Sequence, residues 1–179
     1  MQKDASVISP VFRVASVAIL AAVTTVFTIF IRVPSPATGY FNLGDMAIAF
    51  IAFTFGPFSA LIAGGVGTGL ADLIGSYAQW APVSLIVHGL EGLAIGIVAR
   101  ARPSNVPVVA LPRAAAAGLA GVVIMTAGYF VGGILLIGIR AALAEAPGNV
   151  LQSAAGVVLG LPLSFAVAQA YPQIRRYSW

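Results

Sequence analysis

His88 and Glu91 stand three residues apart inside an apolar run, VSLIVHGLEGLAIGIVA. On a helix that spacing puts an imidazole and a carboxylate on one face. An ionisable side chain at membrane depth is costly, and it marks a functional-site hypothesis by default. Counted from Ala81, His88 lies roughly 10 Å and Glu91 roughly 15 Å below the helix end. Asp72 closes the preceding apolar run, and the loop after it, GSYAQWAP, carries Tyr77, Gln79 and Trp80. Tyr40, Asn42 and Asn149 stand in two other polar loops. Aromatic faces with a few amides and carboxylates suit a flat, polar heteroaromatic ligand, held by stacking and edge hydrogen bonds. Each group also has a purely structural reading. Tyr and Trp form belts at membrane interfaces. His88 and Glu91 can pair with each other, and Asp72 can cap a turn. Asn42 and Asp45 open a helix with turn and capping chemistry.

The elements that position these residues follow from composition. The 179 residues are 60% hydrophobic and 8% charged, against about 25% charged in a soluble domain. So few charges cannot cover a water-facing surface, and backbone polar groups in lipid must be paired within helices. Apolar runs predict an all-α integral membrane protein, a single domain over 1–179 with six transmembrane helices at about 11–31, 45–55, 58–74, 82–99, 114–139 and 150–170. The second is short for a span. Gly56-Pro57 fits a helix stop followed by a start, and the segment 140–149 reads as a loop. Lys3, Arg13, Arg100, Arg102, Arg113, Arg175 and Arg176 fall on one side of this topology; Arg32 and Arg140 fall on the other. That asymmetry places both termini in the cytoplasm. Small residues recur at four-residue spacing, as in Gly92 and Gly96 or Gly156 and Gly160, which lets membrane helices approach closely.

Other chemistries find little support. The net charge of +4 is scattered at the ends of apolar runs, which is a topology signal rather than a nucleic-acid patch. With no cysteine there is no thiolate nucleophile or thiolate metal site. The GGVGTG at 64–69 lies inside a span and not between a strand and a helix, so a dinucleotide loop fails its context. His-x-x-Glu alone is too short a signal for a metal site, and no metal or catalytic residue is assigned.

YFNLGD at 40–45, FGP at 55–57, ADLIGSYAQWAP at 71–82 and HGLEG at 88–92 together resemble the substrate-binding S components of energy-coupling factor (ECF) vitamin transporters, in the riboflavin/hydroxymethylpyrimidine-type branch. The motifs cover roughly 33–100, and the six-span plan extends the resemblance. Branch members often carry a lysine where this chain has His88. The resemblance implies a membrane-embedded, high-affinity capture subunit for a water-soluble vitamin or precursor such as riboflavin, hydroxymethylpyrimidine or pyridoxine. The candidate contacts for such a ligand are the residues singled out above: Tyr40, Asn42, Asp72, Tyr77, Gln79, Trp80, His88, Glu91 and Asn149. The resemblance also implies a transmembrane coupling protein and two cytoplasmic ATPases as partners in the cell membrane. The chain then needs no cofactor of its own, since the partners hydrolyse ATP. In the family the first helix meets the coupling protein through small residues, here Ala15, Ala18 and Ala22, continued by Thr25. The same alanines could instead pack within the bundle. Two readings of other classes stand beside this one: an integral membrane enzyme using Glu91, His88 and Asp72 on a lipid-soluble substrate, and a self-contained channel or exporter.

Overall fold

The computed structural model describes residues 9–34, 40–100 and 109–178. Helix α1 (Pro10–Phe30) starts at Ser9, whose Oγ accepts from the Phe12 N–H at 3.2 Å. Two three-residue strands, β1 (Arg32–Pro34) and β2 (Tyr40–Asn42), pair antiparallel with Arg32 opposite Asn42. Then come α2 (Gly44–Thr54), α3 (Pro57–Ile74), α4 (Ala81–Arg100), α5 (Leu111–Ile137) and α6 (Ile139–Ala170), with a 3₁₀ turn over Pro172–Tyr177. Among the described residues, five helices are long and apolar enough to cross a membrane.

The second helix is the exception. Its 11 residues span about 16 Å, half of a roughly 30 Å hydrocarbon core. Ile48, Ala49 and Ile51 are fully buried, so α2 sits inside the bundle rather than against lipid. At its C-terminal end Arg100 Nη2 donates to Phe55 O at 3.2 Å. Gly56, at φ 97°, turns the chain into Pro57 at the first position of α3. At its N-terminal end Asp45 reaches His88, well inside α4. The hairpin of β1 and β2 supplies the chain between α1 and this interior starting point.

The expected loop at 140–149 is instead helical. The chain turns at Gly138, with φ 84°, and α6 then runs unbroken for 32 residues through Pro147 and Pro162. Ala141 to Glu145 are mostly strong helix formers, and tertiary contact holds the turn that follows. Ala142 is buried, 3.0 Å from where a Cβ on Gly133 of α5 would lie.

Small residues set the helix spacing. A Cβ at Gly96 would lie 2.5 Å from Pro57 Cα, and one at Gly92 would lie 2.8 Å from Ala60 O, so α3 and α4 touch backbone to backbone. Gly156 and Gly160 do the same for α6 against Asp45 and Met46 of α2. On α1 the inward face is Val17, Leu20, Ala21, Thr24, Thr25 and Thr28. Thr25 Oγ1 donates to Gly67 O of α3 at 2.9 Å, so it belongs to the bundle and does not continue the alanine stripe. Ala15, Ala18 and Ala22 are all exposed, which removes the reading in which they pack the bundle.

Candidate functional site

At the end of the bundle that carries the 75–80 turn, a cavity opens between the hairpin and α3 to α6. With its mouth and the open solvent there it amounts to about 730 Å³ of empty space. One wall is aromatic. Trp80 and Tyr129 stack with centroids 5.8 Å apart at 27°. Tyr40 and Tyr77 meet edge to face at 5.0 Å. Arg32 braces that second pair from behind. Its guanidinium lies 4.4 Å over Tyr40 and 5.8 Å from Tyr77, and it donates to Thr28 O (3.2 Å) and Ala71 O (3.3 Å). The last carbonyls of a helix lack intrahelical partners, so Arg32 ties the end of α1 to the end of α3.

Two polar groups interrupt this wall. The first is Asp72 at the end of α3. Tyr40 OH donates to its Oδ1 at 3.2 Å, and Ser84 Oγ makes a very short bond to its Oδ2. Ser84 Oγ also lies 2.6 Å from Tyr129 OH. Burial and the neighbouring carboxylate push the Tyr40 phenol well above its usual range, so it stays a donor.

The second group lies deeper. His88 Nδ1 is 2.9 Å from Glu91 Oε2 and 3.2 Å from Asp45 Oδ1. With both carboxylates ionised each accepts only, and the Nδ1 proton lies between them. Ser153 Oγ donates to Glu91 Oε1 at 2.6 Å, and Gln152 Nε2 donates to Asp45 Oδ2 at 2.6 Å. Gln152 Oε1 in turn accepts from Asn42 N at 3.0 Å. Asn42 Oδ1 accepts from Gly44 N at 2.7 Å, the turn chemistry expected of it. The His88 ring is 5.3 Å from Tyr129 and lines the cavity. With Nδ1 turned toward the carboxylates, Nε2 is the edge left for a ligand. Ligand atoms of Asp45, His88 and Glu91 lie within 4.8 Å of one another. A cation there would compete with the Nδ1 proton for the same two carboxylates.

Seven of the nine expected residues line this cavity: Tyr40, Asn42, Asp72, Tyr77, Trp80, His88 and Asn149. Asn149 does so from α6 rather than from a loop. Two do not. Gln79 is exposed in the turn and is not among the lining residues. Glu91 is buried behind His88 and reaches the cavity only through it. Asp45, which reads as a cap in sequence, and Ser84, Tyr129, Gln152 and Ser153 join the site beyond the nine expected residues. Their signal was available: each is a polar group within an apolar helix, and such groups face the bundle interior.

The sequence profile of the ECF-type riboflavin transporter S component family matches residues 10–169. The chain belongs to that family. It is 34% identical over 142 residues to an uncharacterized protein in the gap 3′ region of Pyrococcus woesei, covering 79% of this chain and 91% of that one. It is 31% identical over 132 residues to the thiamine precursor transporter HmpT of Lactococcus lactis subsp. cremoris, covering 74% of this chain and 72% of that one. The protein is therefore a multi-pass membrane S component, a substrate-capture subunit of a transporter for a vitamin or vitamin precursor. It is not an enzyme, and the lipid-enzyme and channel readings fall.

Proposed function

We propose that this S component captures a flat, water-soluble heteroaromatic vitamin or precursor in the cavity beside Trp80. The observation that carries the reading is the juxtaposition of the stacked Trp80–Tyr129 wall with Asp72 and His88. The wall suits a ring face, and the two polar groups suit its edge. Hydroxymethylpyrimidine, riboflavin and pyridoxine all have this form, and similarity to a thiamine precursor transporter supports the smaller rings. Tyr40, Asn42, Tyr77 and Asn149 complete the contacts, with Glu91 acting through His88.

The rest of the transporter lies in other chains. A transmembrane coupling protein and two ATPases supply the energy, and family membership supports that partnership. The exposed Ala15, Ala18 and Ala22 on α1 are the docking stripe, because small residues allow close helix approach where lipid gives no hydrophobic drive. The bias of basic residues puts both termini in the cytoplasm of a cell-membrane protein and the cavity mouth outside.

Native mass spectrometry of the purified protein tests the reading. A retained ring compound of vitamin size is expected. A preparation that carries none and gives no heat with hydroxymethylpyrimidine, riboflavin or pyridoxine refutes it.

A further inference from the structure

We propose that the charge of the cavity is a filter, admitting a neutral or protonated heteroaromatic alcohol and refusing the phosphate ester of the same ring. The inference rests on the capture reading above and adds a rule of selection to it.

Charge bookkeeping supports it. Asp72 stands in the wall, and Asp45 and Glu91 stand just below it; all three are buried. Against these three carboxylates there is a single imidazole, His88, already held between two of them. With the three carboxylates ionised, His88 and the Arg32 guanidinium still leave one negative charge in excess, and Asp72 is the one of the three that lines the cavity. Among the described residues, no lysine or arginine lines the cavity. Arg32 sits behind Tyr40 and Tyr77 rather than in the lining, where its Nε donates to Thr28 O and its Nη2 to Ala71 O. A helix N-terminus can attract an anion, but in the first turn of α4 the Ala81 and Ser84 N–H groups already donate to Ala78 O and Trp80 O.

A phosphate brought into this recess meets a field of its own sign in a poorly hydrated site. One extra negative charge about 6 Å from Asp72, at an effective dielectric near 20, weakens binding by about a hundredfold. A ring nitrogen or amino group meets acceptors instead: Asp72 takes a donated proton, and His88 Nε2 faces the opposite polarity of the same edge.

The test is isothermal titration of the purified protein with matched pairs: hydroxymethylpyrimidine and its monophosphate, riboflavin and its 5′-phosphate, pyridoxine and its 5′-phosphate. For whichever ring binds, the ester is expected to bind at least about a hundredfold more weakly. In Asp72→Asn, which keeps an acceptor oxygen for one of Tyr40 and Ser84 and turns an N–H donor to the other hydroxyl, the alcohol binds more weakly and the alcohol-to-ester ratio narrows about tenfold or more. Comparable affinity of alcohol and ester in the wild type overturns the filter and leaves capture standing. An unchanged ratio in a folded Asp72→Asn variant overturns the role of Asp72. Failure of both members of every pair to bind overturns the capture reading itself.

Discussion

Gly156→Ala tests whether helix packing sets the geometry of the buried cluster. An added Cβ would lie 2.5 Å from Asp45 Cβ, 2.7 Å from Asp45 C and 2.9 Å from Met46 N. Two of these three atoms are backbone, so rotamer change cannot relieve the clash. Relief to ordinary contact distance requires α6 and α2 to separate by about 1 Å. Gln152 and Ser153 lie one turn away on α6 and move with it. Their bonds to Asp45 and Glu91, each 2.6 Å, then stretch to about 3.6 Å, outside hydrogen-bonding range. Overpacking costs about 1–3 kcal/mol, and alanine returns up to about 1 kcal/mol of helix propensity. A bond lost to a charged buried group costs about 1.5–3 kcal/mol more. The net expectation is a loss of about 2–4 kcal/mol in stability and a 10- to 100-fold weaker affinity, because His88 loses its anchors. Thermal unfolding and isothermal titration in one detergent read both quantities, using the ring compound that binds the wild type. Gly118→Ala is the control: the three atoms nearest its Cβ would all belong to the Val157 side chain, at 2.7 Å from Cγ1, and Val157 does not line the cavity. Wild-type affinity in a destabilised Gly156→Ala would refute the idea that the α2–α6 contact positions the cluster.

Three further outcomes are expected. Trp80→Ala removes the stacked wall and Glu91→Gln removes an anchor of His88; each weakens ligand binding by roughly tenfold to a hundredfold with folding retained, and unchanged titration in both would move the site. Ala18→Leu with Ala22→Leu leaves affinity intact and abolishes radiolabelled uptake when the coupling module is co-expressed, because both residues face outward; normal uptake would show that this face is not the docking surface. In intact cells an impermeant thiol reagent labels Ser76→Cys, in the turn at the cavity mouth, and spares Ser104→Cys, in the basic connector outside the described residues; the opposite pattern rejects the proposed orientation.

The membrane class was legible because it depends on composition alone: with 8% charge, no fold can present an adequate polar surface to water. Helix positions were legible wherever an apolar run is bounded by Gly-Pro or by charges, as at Gly56-Pro57. They were misread at 140–149, where Pro147-Gly148 looks like a loop locally and is held helical by contact of Ala142 with α5. The aromatic side of the site was legible because Tyr77 and Trp80 stand close together in one short polar turn.

The acidic floor was not legible, because its members come from distant parts of the chain. Asp45 reads as a helix cap in sequence, and capping chemistry is local. Its actual partners are His88 on α4 and Gln152 on α6, 43 and 107 residues away. Glycines at 64, 65, 92, 96, 156 and 160 allow the close approaches that bring these helices together. The sequence by itself determined that His88 and Glu91 share a face and that a buried charge must find a partner. Which partner each finds is a matter of helix packing, so only the tertiary structure decided that Glu91 stands behind His88 and that Asp45 completes the cluster.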